Sequence, residues 1–170
     1  MKITLTSKPK AKPDFSKLGF GKYFTDHMLL MEYHDGAWDE PQIIPYDDFK
    51  MNPATNILHY GQGIFEGVKA YKNEEGKITT FRIDENIKRM NRSAERLCMP
   101  TLDADVVLPA LFELIKIEKD WIPTASGTSL YIRPTMIADD PMLGVHAAHN
   151  YKFFVILSPV GSYYANGMQP

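Results

Sequence analysis

The chain has 170 residues, 44% of them hydrophobic and 24% charged, which suits one globular domain or at most two small ones. Its formal net charge of -2 excludes the strongly basic surface that binding to nucleic acid or an acidic membrane requires. One cysteine, Cys98, excludes an internal disulfide or a Cys-rich zinc site, and no apolar run reaches the roughly 20 residues that cross a bilayer, so the expected compartment is the cytoplasm.

The first residues, MKITLTSKPKAKPDF, are rich in Lys and Pro and lack the apolar core of a signal peptide. They read as a flexible arm over residues 1–15. DHMLLMEYHDGAWDEPQIIPY reads as two extended runs around an Asp35-Gly36 turn, because Asp-Gly accepts the positive φ of a tight hairpin. VKAYKNEEGKITTFR repeats the pattern around Asn73–Gly76. In IDENIKRMNRSAERLCM the period changes: Ile87, Met90, Ala94 and Leu97 fall on one helical face, Asp84 is a candidate N-cap and Pro100 a stop. DADVVLPALFELIKIEKDW gives a second helix with an apolar stripe of Val107, Leu111, Leu114 and Ile115 and a candidate cap at Asp103. Pro109 lies inside it, which implies either a kink or a later start. Two apolar strands, SLYIRPTMIA and YKFFVILSPVG, follow, joined by the polar loop DDPMLGVHAAHN. Strand pairs, two helices and a final strand pair make an α+β domain: a mostly antiparallel sheet with two helices packed on one side. The domain spans residues 16–161, and the Gly/Pro-containing tail 162–170 reads as the start of a linker.

Several groups could carry chemistry. Cys98 lies near a helix C-terminus, where the dipole disfavours a thiolate, and reads as a small buried hydrophobe. Asp139, Asp140, His146 and His149 share one loop, but an H-x-x-H spacing without a helical Glu is weak evidence for a metal, and a solvated loop is expected. LHYGQGIFEG places Gly61, Gly63 and Gly67 close together in neither the Walker nor the dinucleotide pattern; these glycines permit close backbone approach. The chain has only five arginines: Arg82, Arg89, Arg92, Arg96 and Arg133. Arg89 borders the apolar stripe of the first long helix. It suits either a bidentate clamp on a phosphate or a surface ion pair. Arg133 interrupts an apolar strand, with Tyr131 on the same face. The pair could receive a carboxylate, or Arg133 could bury an ion pair with an acidic residue.

The segments LGFGKYFTDHMLLMEY, NPATNILHYGQGIFEGVKAYK, NIKRMNRSAERLCMP, KDWIPTASGTSLYIRPTMIADDPMLGV and FFVILSPVGSYY together resemble the branched-chain amino-acid aminotransferases, pyridoxal-phosphate enzymes of the fold-type IV group. The resemblance runs from about Gly19 to Gly161 and implies the small N-terminal domain of that fold. It implies that Arg89 holds the cofactor phosphate. Phe20, Tyr60, Phe65 and Tyr163 form walls of the side-chain pocket, and Tyr131 and Arg133 orient the substrate. Leu143 and Val145 reach the neighbouring subunit's site in a homodimer. The substrates implied are Leu, Ile or Val and 2-oxoglutarate. In the resembled family the lysine that bonds pyridoxal 5'-phosphate belongs to a later domain, beyond Pro170. No catalytic residue and no metal ligand is therefore expected here, Lys69 included, and the chain alone is expected to be inactive. Other fold-type IV enzymes, such as D-amino-acid aminotransferase or aminodeoxychorismate lyase, share the architecture, but the aromatic set favours a branched apolar side chain. A non-catalytic binding or assembly domain is the alternative from another class.

Overall fold

A computed structural model describes residues 1–161. The strands are β1 (Lys2–Ile3), β2 (His27–His34), β3 (Ala37–Trp38), β4 (Gln42–Pro45), β5 (Gly63–Phe65), β6 (Val68–Lys72), β7 (Ile78–Thr80), β8 (Ser129–Ala138) and β9 (Tyr151–Val160). The helices are α1 (Asn56–Tyr60), α2 (Ile83–Arg96) and α3 (Ala104–Ile117), followed by a 3-10 turn at Lys119–Trp121. All strands join one sheet in the order β1-β4-β2-β9-β8-β6-β7, with β3 on β2 and β5 on β8. Every pairing is antiparallel except β1 with β4. The domain is α+β with a mostly antiparallel sheet.

The two hairpins form where the turn chemistry places them. Asp35 and Gly36 both adopt positive φ, 51° and 85°, the conformation of a tight hairpin turn. The long central pair, β8 and β9, is in register from Ser129 opposite Val160 to Ala138 opposite Tyr151. Its period-2 alternation divides the sheet into two faces. On β8, Leu130, Ile132, Met136 and Ala138 are fully buried; Tyr131, Arg133, Thr135 and Ile137 face the other way and are half-buried. The buried face meets the helices. Ile87, Met90 and Ala94 of α2 and Val107, Leu111, Leu114 and Ile115 of α3 join Leu29, Met31, Phe153, Val155 and Leu157 in one core. The face that carries Tyr131 and Arg133 lies opposite.

Several local details differ from the sequence expectation. The residues expected as a flexible arm are held: β1 pairs with β4, Thr6 N–H donates to His27 Nε2 at 2.9 Å, and Lys10 N–H donates to Asp26 Oδ1 at 2.7 Å. The acceptors are buried side chains distant in sequence, which composition could not reveal. A third, five-residue helix, α1, is too short to show a period. Helix α2 is capped at Arg82, in left-handed conformation, and Asp84 lies inside its first turn, favourable to the helix dipole without being the cap. Asp103 caps α3 as expected, accepting from Asp105 N–H, so Pro109 lies in the second turn and not at the start. Leu97 is 43% exposed, and Cys98 is exposed too, with φ 54°, because the chain leaves α2 in a left-handed turn there and takes both side chains off the core face.

Candidate active site

The uncovered sheet face gathers residues from four separated segments. Phe65, at the end of β5, pairs with Thr135; Arg133 leans back so that its guanidinium carbon lies 4.3 Å from the centre of the Phe65 ring. Arg133 Nε and Nη2 donate to the Tyr131 hydroxyl at 3.1 and 2.8 Å. The Phe20 ring packs on Tyr131 with centroids 5.0 Å apart. Phe20, Phe24, Tyr131, Arg133, Ile156 and Ser158 line a chamber of about 180 Å3. Among the described residues no carboxylate lies within ion-pair distance of Arg133. Among the described residues, the buried ion pair that the sequence left open does not form. A half-buried cation walled by rings, with no acid partner among the described residues, has the chemistry that suits an anion.

Tyr131 also lines a second, more open hollow of about 500 Å3 with Gly67, Lys69, Asn86, Arg89 and Arg92. Here the arginine is partnered. Arg89 Nε and Nη2 donate to the two carboxylate oxygens of Glu66 at 2.5 and 2.6 Å. Asn86 Nδ2 donates to Glu66 Oε2 at 3.1 Å. Burial pushes the Glu66 carboxyl up, but the Arg89 fork, Asn86 and the Gly67 N–H together hold it below the usual carboxylate range. Glu66 in turn holds the Arg89 guanidinium above its ordinary value, first through the hydrogen bond and then through charge. The bridge uses two of the five N–H donors of the fork, and the rest remain available to a ligand. Gly67 is required by close approach: a Cβ there would lie 2.5 Å from the Tyr131 hydroxyl. Glycine at 67 thus leaves the Tyr131 ring its place against the wall of the hollow.

The loop between β8 and β9 forms a third element. Tyr60, the last residue of α1, accepts a hydrogen bond on its hydroxyl from Gly144 N–H at 2.7 Å. Leu143 and Val145, on either side, are exposed. Asp140, far from being a solvated metal candidate, is buried and accepts from His149 N–H, Asn150 N–H and His146 Nε2.

No family model matches the chain. The chain is 54% identical over 158 residues to branched-chain-amino-acid transaminase 1 of Bacillus subtilis, covering 92% of this chain and 44% of that protein. It is 52% identical over 171 residues to branched-chain-amino-acid aminotransferase 2 of the same organism, covering 100% and 47%. This chain belongs to the branched-chain aminotransferase family. It spans about half the length of the curated relatives it matches. A more distant member, the cytosolic branched-chain-amino-acid aminotransferase of Rattus norvegicus, is 46% identical over 97% of this chain and 40% of its own. Among solved structures, the branched-chain amino acid aminotransferase of Escherichia coli superposes with a TM-score of 0.61 at 23% identity, over 81% of this chain and 41% of that one, which shows the shared fold. Another branched-chain amino acid aminotransferase, solved in complex with N-(5'-phosphopyridoxyl)-L-glutamate, superposes at 0.54 with 25% identity, over 75% and 40%.

Against the family reading, the structure brings Phe20, Phe65, Tyr131 and Arg133 together and sets Arg89 on the rim of the neighbouring hollow. Tyr60 lies apart from that chamber and meets the Leu143–Val145 loop instead. Tyr163 lies outside the described residues. Sequence reasoning missed Glu66, Asn86 and Ser158, and named Gly67 only as one of three glycines permitting close backbone approach. The Glu-Gly step in GIFEGVK was the one visible signal: an acid inside an apolar run implies a cation, and the glycine beside it a crowded neighbour. A phosphate suits the donor set of the larger hollow, which Arg82, Arg89 and Arg92 line together with Gly67.

Proposed function

We propose that this chain forms the substrate-orienting part of a branched-chain aminotransferase that moves the amino group of Leu, Ile or Val to 2-oxoglutarate. The observation that carries the reading is that two unlike pockets lie back to back on Tyr131, which lines both: a ring-walled chamber whose arginine has no acid partner among the described residues, and an arginine-rich hollow. Pyridoxal phosphate would be held in the hollow, with Arg89 and Arg92 on its phosphate; the chemistry the cofactor supplies when bound is an electron sink for the substrate Cα.

The chain's own residues bind and orient. Glu66 fixes the plane of the Arg89 fork, so the remaining donors need no reorganisation when a phosphate arrives. Phe20 and Phe65 exclude water from the apolar part of a side chain, worth roughly 0.8 kcal/mol for each buried CH2. Arg133, oriented by its bond to Tyr131, attracts a substrate carboxylate. Tyr131 accepts from Arg133, which leaves its own proton free to donate towards the substrate. The lysine that bonds the cofactor, by family resemblance, lies beyond Pro170. The complete protein is a cytoplasmic homodimer in this reading.

The test is a spectrophotometric transaminase assay on the complete protein with added cofactor. L-Leu and L-Ile should turn over with 2-oxoglutarate and D-Ala should not. Preferential turnover of D-Ala would overturn the substrate assignment. The 170-residue chain by itself should show negligible turnover, and a rate near that of the complete protein would refute its assignment as the orienting part.

A further inference from the structure

The sequence assigned Asp140 no function, and the site as described above does not use it. It lies two residues past the end of β8, and only 4% of it is exposed. Its carboxylate reaches across to the far end of its own loop: Oδ1 accepts from Asn150 N–H at 2.7 Å, and Oδ2 accepts from His149 N–H at 3.0 Å and from His146 Nε2 at 3.2 Å. Its backbone carbonyl accepts from Asn56 N–H at 2.9 Å, at the first residue of α1. Helix α1 ends at Tyr60, whose hydroxyl takes the Gly144 N–H at the loop tip. The contacts close a ring: Asp140, α1, Tyr60, the tip at Gly144, then His146, His149 and Asn150 back to Asp140.

That ring encloses little apolar surface of its own. Leu143 and Val145 at the tip are 62% and 93% exposed, so core packing does not set their positions. Polar contacts at the base and at the tip do so instead: the buried carboxylate at the base, and at the tip the tyrosine hydroxyl together with His146 Nδ1, which lies 2.7 Å from the Gly144 carbonyl oxygen. Gly144 between them adopts φ 100°, a conformation open to glycine and strained for other residues, so the tip has a defined shape to be held. A carboxylate that accepts several N–H bonds in a buried setting is a stiff anchor.

We propose that Asp140 is a positioning residue for substrate recognition. Together with Tyr60 it clamps the loop at two points and so fixes the geometry in which Leu143 and Val145 are presented to a substrate side chain. The inference rests on the proposed function, and on the family resemblance by which these two residues reach the neighbouring subunit's site. The clamp acts on the side-chain contacts and not on the reacting atoms. It therefore alters binding of ground state and transition state alike, which appears in KM and not in kcat.

The experiment uses the complete enzyme as wild type, Asp140→Ala, Asp140→Asn, Tyr60→Phe and the Asp140→Ala/Tyr60→Phe double variant. Amide hydrogen exchange at Gly144, His149 and Asn150 and steady-state kinetics with L-Leu are read in parallel. Asp140→Ala should speed exchange at His149 and Asn150. It should raise KM for L-Leu on the order of tenfold, short of the hundredfold that an ångström of misplacement can cost, with kcat little changed. Asp140→Asn, which keeps the shape and one acceptor, should lie between and remains informative if the alanine variant fails to fold. Because both residues act on one loop, the double variant should cost less than the sum of the two. Unchanged exchange in Asp140→Asn overturns the clamp. Faster exchange with unchanged KM overturns its role in recognition. A fall in kcat at constant KM does the same, because it identifies a purely structural residue. Absence of turnover in the wild type is a distinct outcome: it removes the functional reading and this inference with it.

Discussion

Arg89 and Glu66 form a bidentate pair at 2.5 and 2.6 Å, in which the acid is buried and the arginine side chain is 58% exposed. The asymmetry matters. The carboxylate depends on the arginine for its charge balance, while the arginine keeps a free side towards the hollow. Replacing Glu66 with Gln retains a hydrogen-bond acceptor but removes the charge that fixes the fork. Pyridoxal phosphate affinity of the complete enzyme should fall on the order of tenfold, about one charge-assisted hydrogen bond. Arg89→Ala should weaken it further and also lower the thermal midpoint of the cofactor-free protein, because Glu66 is left buried without a cation. Fluorescence titration with the cofactor and differential scanning calorimetry check the two effects.

Gly67→Ala tests the close approach at the floor of the site. The added methyl would sit 2.5 Å from the Tyr131 hydroxyl, so the ring must move and its bond to Arg133 must break. Overpacking of this kind costs about 1–3 kcal/mol in stability. The KM for both substrates should rise. A crystal structure of the variant should show Tyr131 displaced; an unmoved ring with normal kinetics would disprove the crowding.

The pH dependence of the β8–β9 loop follows from Asp140. Burial pushes its carboxyl up, but the N–H groups of His149 and Asn150 and the His146 ring hold it below the ordinary carboxylate value. A carboxyl lowered on folding contributes stability above its unfolded pKa of about 3.9, and that contribution is lost as pH falls through the lower folded value. Local protease cutting between 141 and 149 should therefore stay slow at neutral pH and accelerate as the pH falls below about 3.9. Asp140→Asn should be cut faster at neutral pH and show a much flatter response to acid.

The core should behave as a single packed unit. Phe153, the third residue of β9, is fully buried and lies edge-on to Trp38. Truncating it to Ala should cost about 3–5 kcal/mol, measured by urea denaturation. A loss under about 1 kcal/mol would mean that the site collapses around the smaller side chain.

The uncovered face should make the isolated chain sticky. Phe65 is 65% exposed and lies on the same face as the half-buried Tyr131 and Ile156, with Leu143 and Val145 on the nearby loop. Light scattering of the chain alone should show association that grows with concentration. A clean monomer at high concentration would count against an apolar face awaiting a partner.

Local chemistry determined much of this protein from its sequence. The Asp35-Gly36 turn, the two amphipathic helices, the Asp103 cap and both long strands follow from turn preference, period 3.6 and alternation, which involve near neighbours only. Motif order along the chain was enough to identify the family. Tertiary structure alone decided which arginine has an acid partner and which, among the described residues, has none. Arg89 and Glu66 are 23 residues apart, and the held N-terminal segment bonds to side chains 16 and 21 residues away. Tyr60 meets Gly144 across 84 residues and so holds the tip of the β8–β9 loop. Such pairings depend on how the sheet curls and which face the helices cover. Two arginines alike in sequence thus acquire different charges to answer, because only the folded sheet brings a carboxylate to one of them.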